Sequence, residues 1–139
     1  MQEIINKLHE GGHSCVIANK GKIRTFAQRG IADLYTLLKT DSDFLKGASV
    51  ADKVIGKGAA TLMILGGVQR VYTDLISESA LALFKETTIE LEYKELTPFI
   101  RNRDQSGWCP VESLCQQEDS VEAILPLIEG FIAKMQKQG

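Results

Sequence analysis

Two histidines of this 139-residue chain stand in the segment His9-Glu10-Gly11-Gly12-His13, which matches the H-E-x-x-H pattern of zinc proteases. In those enzymes one helix presents both imidazoles to the metal, and the glutamate acts as general base. Here two glycines separate the histidines, and each costs about 1 kcal/mol relative to alanine inside a helix. The chain has no third histidine. We therefore predict a helix that ends at the glycines, with surface histidines on either side and no metal site.

The stretch from Arg101 to Glu112 is the richest in side chains that could react or bind. Pro110 favours the first position of a helix, which puts Cys109 at the helix cap, where the dipole stabilises a thiolate. This arrangement predicts a reactive thiol or an anion-binding site. The alternative is that Trp108 and Cys109 pack at the core edge while the arginines are solvated. The candidates from this stretch are Arg101, Arg103, Asp104, Trp108, Cys109 and Glu112.

Two further sites are expected at helix starts. Ser49 is predicted to cap a long buried helix over 50–65, with Asp52-Lys53 in its first turn, and Ser77-Glu78 opens a later helix. A lysine beside a carboxylate on an otherwise apolar helix could act in a site, although Asp52 alone would complement the helix dipole. Gly56-Lys57-Gly58 resembles part of a phosphate-binding loop. Because it falls inside the predicted helix, close packing is the preferred interpretation.

The elements that must position these residues follow from hydrophobic periodicity. After the first helix, two strands surround the turn at 19–21, and a helix is predicted over 31–39. Strands are predicted over 68–76 and 89–96, with a helix between them that begins at 77–79. A short helix begins near Pro110, and Asp119-Ser120 caps a last helix that Pro126 should kink or break. This order indicates a mixed sheet with helices on both faces.

Composition favours one soluble α/β domain over 1–139, with 44% hydrophobic and 24% charged residues. The net charge of −2 disfavours a general nucleic-acid binder, and no apolar run is long enough for a membrane span. Three cysteines without a CxxC pair, and the lack of a signal peptide, predict a cytoplasmic protein. Cys15 on a core strand and Cys115 within a helix are expected to be buried and unreactive.

Four segments together resemble an uncharacterised prokaryotic family, domain-of-unknown-function family 1893. They are RTFAQRGIADLY, SVADKVIGKGAA, SESALALF and PFIRNRDQSGWCPVE, and the last is the most specific. The resemblance covers roughly residues 5 to 115 in element order. It implies a cytidine-deaminase-like fold, a three-layer α/β/α sandwich with a mixed sheet.

Zinc deaminases carry histidine or cysteine ligands at two helix starts, which the resemblance matches to Asp52-Lys53 and Ser77-Glu78. Neither position offers a histidine or cysteine, so we expect no zinc and no cofactor. One hypothesis is a metal-free enzyme acting on a small nucleotide-like or anionic metabolite. Its catalytic residues would be Asp52 or Glu112 as acid/base, Lys53 as electrostatic stabiliser and Cys109 as nucleophile. Ligand-binding residues would be Ser77, Glu78, Arg101, Arg103, Asp104 and Trp108.

Two alternatives stay open. The first is a non-catalytic module for ligand binding or regulation, which would bind a ligand at these positions and would not need a thiol or lysine of shifted pKa. The second is a structural homo-oligomer with no small-molecule site.

Overall fold

Five strands form one mixed sheet in the computed structural model, which describes residues 2–27, 31–100, 110–116, 118 and 120–138. The elements in chain order are α1 Gln2–Glu10, β1 Cys15–Asn19, β2 Lys22–Phe26, α2 Ala32–Thr40, α3 Ser42–Leu45, β3 Ser49–Ile55, α4 Lys57–Gly66, β4 Arg70–Ser77, α5 Glu78–Lys85, β5 Glu90–Thr97, α6 Pro110–Cys115 and α7 Val121–Gln138.

The strands lie in the order β2-β1-β3-β4-β5. Strand β1 is antiparallel to both β2 and β3, whereas β3, β4 and β5 are parallel to one another. The N-terminal end of β1 therefore lies beside the second half of β3, and Cys15 pairs with Asp52. The parallel neighbours need crossover connections, which α4 and α5 supply.

Helices cover both faces of the sheet, but unequally. On one face α1 packs on β1 and β3, and its Ile4, Ile5 and Leu8 form a small cluster with Val16, Ala51 and Tyr72. On the other face α4 contacts the remaining helices, and together they enclose the main core. The structure is thus the expected three-layer α/β/α sandwich with a mixed sheet.

The predicted helix over 50–65 is wrong. Residues Ser49–Ile55 form strand β3, and the helix begins only at Lys57. The cause is that a strand buried on both faces is as continuously apolar as a buried helix. Val50 faces the main core while the next residue, Ala51, faces the α1 cluster. Gly56, extended at φ −97° and ψ −175°, separates the two elements.

Most of the other predicted elements are confirmed, including α1, the β1–β2 hairpin, α2, β4, α5 and β5. The short helix α3 was not predicted. Helix α7 passes through Pro126 without ending there, so the alternative of a break is wrong. Ser120 caps α7 as expected, since its hydroxyl accepts from the Ala123 N–H at 3.2 Å. Among the described residues, no helix is long and apolar enough to span a membrane.

Candidate functional site

A row of buried polar side chains crosses the centre of the sheet. Cys15 of β1 pairs with Asp52 of β3, which in turn pairs with Thr73 of β4. The three residues are 7%, 9% and 0% exposed. Most buried positions in a sheet of this kind are apolar, so three adjacent polar groups mark this row as chemically distinct.

The Asp52 carboxyl is the strongest candidate for chemistry. Burial raises its pKa from 3.8 to about 7, and the negative charge of Asp74 acts in the same direction. The Val54 N–H, which donates to the carboxyl, and the neighbouring Lys53 N–H and Cys15 thiol lower the pKa and so oppose part of that rise. A carboxyl with this pKa is populated in both protonation states near neutral pH, which suits a general acid or base.

The Cys15 thiol has the opposite character. Burial raises its pKa well above the usual value, and the nearby charges of Asp52 and Asp33 raise it further. The expectation that Cys15 is buried is confirmed. Asp33, in the first turn of α2, also has a pKa raised by burial. The thiol therefore stays protonated and can act as a hydrogen-bond donor toward carboxylates.

Helices α2 and α4, which pack on this face of the sheet, begin without a side-chain cap. The N-cap residues are Ile31 for α2 and Gly56 for α4, and neither side chain can accept a hydrogen bond. By contrast, the Ser77 hydroxyl caps α5 by accepting from the Ala80 N–H at 3.2 Å. Uncapped first-turn N–H groups and the helix dipole together favour an anion.

The starts of α2, α4 and α6 meet at Gly58. A Cβ atom there would lie 2.5 Å from Val111 Cγ1 and 3.6 Å from Ile31 Cγ2. Only glycine allows this approach, so the packing interpretation of Gly58 is supported. The Gly56-Lys57-Gly58 segment does not lie inside a helix as predicted, however, but joins β3 to α4.

Lys57 anchors α6 to α4. Its side chain is 5% exposed, and its Nζ donates to the backbone carbonyl of Gln116 at 3.4 Å. A lysine that bonds the last carbonyls of a helix also complements the negative end of the helix dipole. Lys57 and Gly58 thus fix α6 beside the start of α4.

In both β3 and β4, the alternation of side chains between the two faces of the sheet is interrupted just beyond this row. Val50 and Ile55 lie five residues apart yet both face the main core, and Val71 and Ile76 do the same. Strict alternation would send them to opposite faces. Asp52 pairs with Thr73 and Val54 pairs with Leu75, but Lys53 and Asp74, which lie between these two pairs, are not paired.

Side chains of the polar row bond to the backbone at this irregularity. The Val54 N–H donates to Asp52 Oδ1 at 3.3 Å, and Thr73 Oγ1 donates to the Leu75 carbonyl at 3.0 Å. Local departures from regular pairing are common beside active sites, where they re-aim side chains.

The structure places the predicted residues as follows. Asp52 lies in mid-strand rather than at a helix start. Lys53 is next along β3 and half-buried, and its N–H donates to the Ser14 carbonyl. Ser77 and the exposed Glu78 lie at the start of α5, as predicted. Ser77 is four residues beyond Thr73, or about 13 Å along the strand, so it does not adjoin Asp52.

The remaining candidates cannot be placed. Arg101, Arg103, Asp104, Trp108 and Cys109 lie outside the described residues, and so does the side chain of Glu112, whose backbone belongs to α6.

Four residues of the site were not proposed from the sequence: Cys15, Asp33, Lys57 and Thr73. A signal for two of them existed, because Cys15 begins the predicted hairpin and Thr73 lies within a correctly predicted strand. What the sequence lacked was the register that sets both against Asp52.

The two histidines lie on α1 and just after it, outside the row of buried polar side chains. His9 lies on α1, where its Nε2 is 2.8 Å from Asp74 Oδ1, and the Tyr72 hydroxyl donates to the same oxygen at 2.6 Å. His13 follows the end of α1, as predicted. Within the described ranges, no three His, Cys, Asp or Glu side chains are grouped to hold a metal ion.

Comparison with known proteins gives a consistent picture. A family model described as "Domain of unknown function (DUF1893)" matches residues 3–132. A crystal structure of a DUF1893 family protein (TM1506) from Thermotoga maritima is similar at a TM-score of 0.85 and 25% identity, covering 93% of this chain and 87% of that one. RibD of Acinetobacter baumannii is similar at a TM-score of 0.42 and 17% identity, covering 67% of this chain and 33% of RibD. No curated protein matches the chain.

Proposed function

This chain belongs to the DUF1893 family, and from that premise we propose that it binds a small nucleotide-like or anionic metabolite where α2 and α4 begin, with Asp52 exchanging a proton with that ligand. The family description assigns no function. The proposed chemistry needs no metal.

The observation that carries the proposal is the Asp52 carboxyl, which is buried in mid-strand on the face of the sheet that α2 and α4 cover. A structural aspartate in a core would be expected to pair with a cation or to be replaced by an apolar residue. The groups that act on Asp52 are instead a thiol, backbone N–H groups and the carboxylate of Asp74. Buried carboxyls with shifted pKa values are concentrated at functional sites.

The anionic part of the ligand would bind to the first-turn N–H groups of α4. Gly56 leaves these groups without a capping side chain, and the start of α2 adds a second positive helix end. The polar part of the ligand would then reach toward Asp52, which donates a proton when neutral and accepts one when ionised.

The loop that follows β5 completes the proposal. β5 is parallel to β3 and β4, so its C-terminal end lies on the same edge of the sheet. The proposed ligand contacts are Arg101, Arg103, Asp104 and Trp108, with Ser77 and Glu78 on the neighbouring helix, and Cys109 and Glu112 remain the proposed nucleophile and second acid/base. Lys53 stays the proposed electrostatic stabiliser, because it is the next residue to Asp52 on β3.

The matched pair Gly56→Asp and Gly56→Asn tests the binding step. Both residues are good N-caps whose side-chain oxygen accepts from the first turn, but only aspartate adds a negative charge. Nucleoside monophosphates, sugar phosphates and dicarboxylates would be screened by thermal shift. A ligand at 100 times its Kd stabilises the native state by about 2.7 kcal/mol. We expect a hit that the asparagine variant weakens and the aspartate variant abolishes. Equal binding by both variants would place the ligand elsewhere.

The Asp52→Asn variant then separates catalysis from binding. The hit is incubated with each protein and followed by NMR for conversion. If Asp52 transfers the proton, the variant binds the ligand but loses turnover. Binding without conversion by the wild-type protein would instead support the non-catalytic module.

A cytoplasmic location and a homo-oligomer stay part of this proposal. The two described cysteines, Cys15 and Cys115, are both buried.

A further inference from the structure

We infer that Cys15 is a positioning residue for Asp52, and that its thiol donates a hydrogen bond that fixes the carboxyl for exchange with the ligand. The inference rests on the proposed function only for the role that it gives to this hydrogen bond in proton exchange. The contact between thiol and carboxyl can be tested without any ligand.

The strand register brings the two groups together. Cys15 and Asp52 lie directly opposite each other on antiparallel strands, where Cβ atoms are about 4.5–5.5 Å apart. Both residues are buried, and Cys15 packs in the main core, so the two side chains share that face of the sheet. The Val54 N–H donates to Asp52 Oδ1 at 3.3 Å, and the Cys15 thiol on the neighbouring strand lowers the pKa of the carboxyl, as a hydrogen-bond donor would.

The surrounding charges keep the thiol as the donor. Asp33 approaches Cys15 from α2, and Asp52 approaches it from β3, and both negative charges oppose thiolate formation. On the far side of Asp52, Asp74 of β4 adds a further negative charge. Proton loss from Cys15 would thus add a thiolate to three carboxyl groups. The thiol instead supplies the proton of the hydrogen bond.

A thiol suits this position because it is a weak donor. A hydroxyl in its place would stabilise the carboxylate more strongly and would lower the pKa of Asp52. A methyl group would give no donor and would let that pKa rise. Cysteine therefore restrains the carboxyl while leaving its pKa close to neutral, where it can give and take a proton.

The first test is infrared spectroscopy of the wild-type protein. The S–H stretching band of Cys15 is assigned by its loss in Cys15→Ala. We expect this band to shift as Asp52 titrates between pH 5 and pH 9, and the shift to disappear in Asp52→Asn. The band of Cys115, which is buried elsewhere in the core, serves as an internal control. A Cys15 band that does not respond to the titration would overturn the inference.

The second test measures the pKa of Asp52 by carboxyl ¹³C NMR, with the resonance assigned through Asp52→Asn. Relative to wild type, we expect a fall of about half to one pH unit in Cys15→Ser and a comparable rise in Cys15→Ala. The same midpoint in all three proteins would show that the thiol does not bond the carboxyl. If the pKa of Asp52 falls in Cys15→Ser and rises in Cys15→Ala but no ligand is found, the result contradicts the proposed function and still supports the hydrogen bond between thiol and carboxyl.

Discussion

Replacing Asp52 by asparagine should change how the stability of the protein depends on pH. The native pKa of about 7 exceeds the usual value of 3.8, so between these values the native state holds a proton that the unfolded chain has lost. The wild-type free energy of unfolding must therefore fall as pH rises through this range. The difference between the two pKa values corresponds to about 4 kcal/mol once the carboxyl is fully ionised in both states.

The Asp52→Asn variant does not show this fall in the free energy of unfolding, because asparagine does not ionise. Its new amide N–H₂ group needs partners and costs about 1–3 kcal/mol at every pH if it finds none. We therefore expect Asp52→Asn to be no more stable than wild type near pH 4.5, but more stable near pH 8.5. The gain reflects the removal of a charge that folding buries, and that the negative charge of Asp74 disfavours further.

Urea denaturation at half-unit intervals from pH 4 to pH 9 would measure the effect. The relevant quantity is the difference in unfolding free energy between variant and wild type, because other titrating groups cancel in it. A matched control is Asp43→Asn, which removes an exposed carboxyl on α3 and should give a difference close to zero throughout. Parallel curves for wild type and Asp52→Asn would refute the reasoning, since the carboxyl would then be ordinary.

Three further predictions concern packing, metal and thiols. Gly58→Ala should destabilise the protein by about 1–3 kcal/mol through its clash with Val111, less about 1 kcal/mol of helix propensity, and Val111→Ala should relieve the clash in a double-mutant cycle of thermal unfolding. Elemental analysis should find no stoichiometric zinc; one tightly held zinc per chain, lost when both histidines are changed to alanine, would contradict this. Timed alkylation read by mass spectrometry should rank Cys109 as the most reactive thiol, because Cys15 and Cys115 are buried. Faster labelling of either buried thiol would contradict the proposed thiolate.

The sequence predicted the fold well where periodicity was unambiguous. Glycines at 11–12 and 66–67 ended helices as expected, and Ser77 and Ser120 capped the helices that follow them. The prediction failed over residues 50–65, where apolar residues on every side fit a buried strand and a buried helix equally well. Gly56 is the only local signal of the boundary there, and glycine within an apolar run is also explained by packing.

The site could be predicted only in part, for a reason that lies in the sheet. Asp52 was selected together with Lys53 as the first turn of a buried helix, so a residue of the site was identified although its predicted secondary structure was wrong. Its partners come from strand register, since Cys15 lies 37 residues earlier and Thr73 lies 21 residues later in the chain. A shift of one residue in either pairing would send the partner to the opposite face, and nothing local in the sequence specifies the register.

The unequal covering of the sheet has a consequence for how the molecule opens. The face under α1 is closed by nine residues of helix, whose anchors are three apolar side chains and the pair between His9 and Asp74. A helix of this length is marginal on its own and depends on those contacts. Because its cluster is separate from the main core, α1 can detach while the rest stays folded. Amide protons of α1 will therefore exchange with solvent through this partial opening, well before those of β3 and β4, whose release requires the whole sheet to unfold.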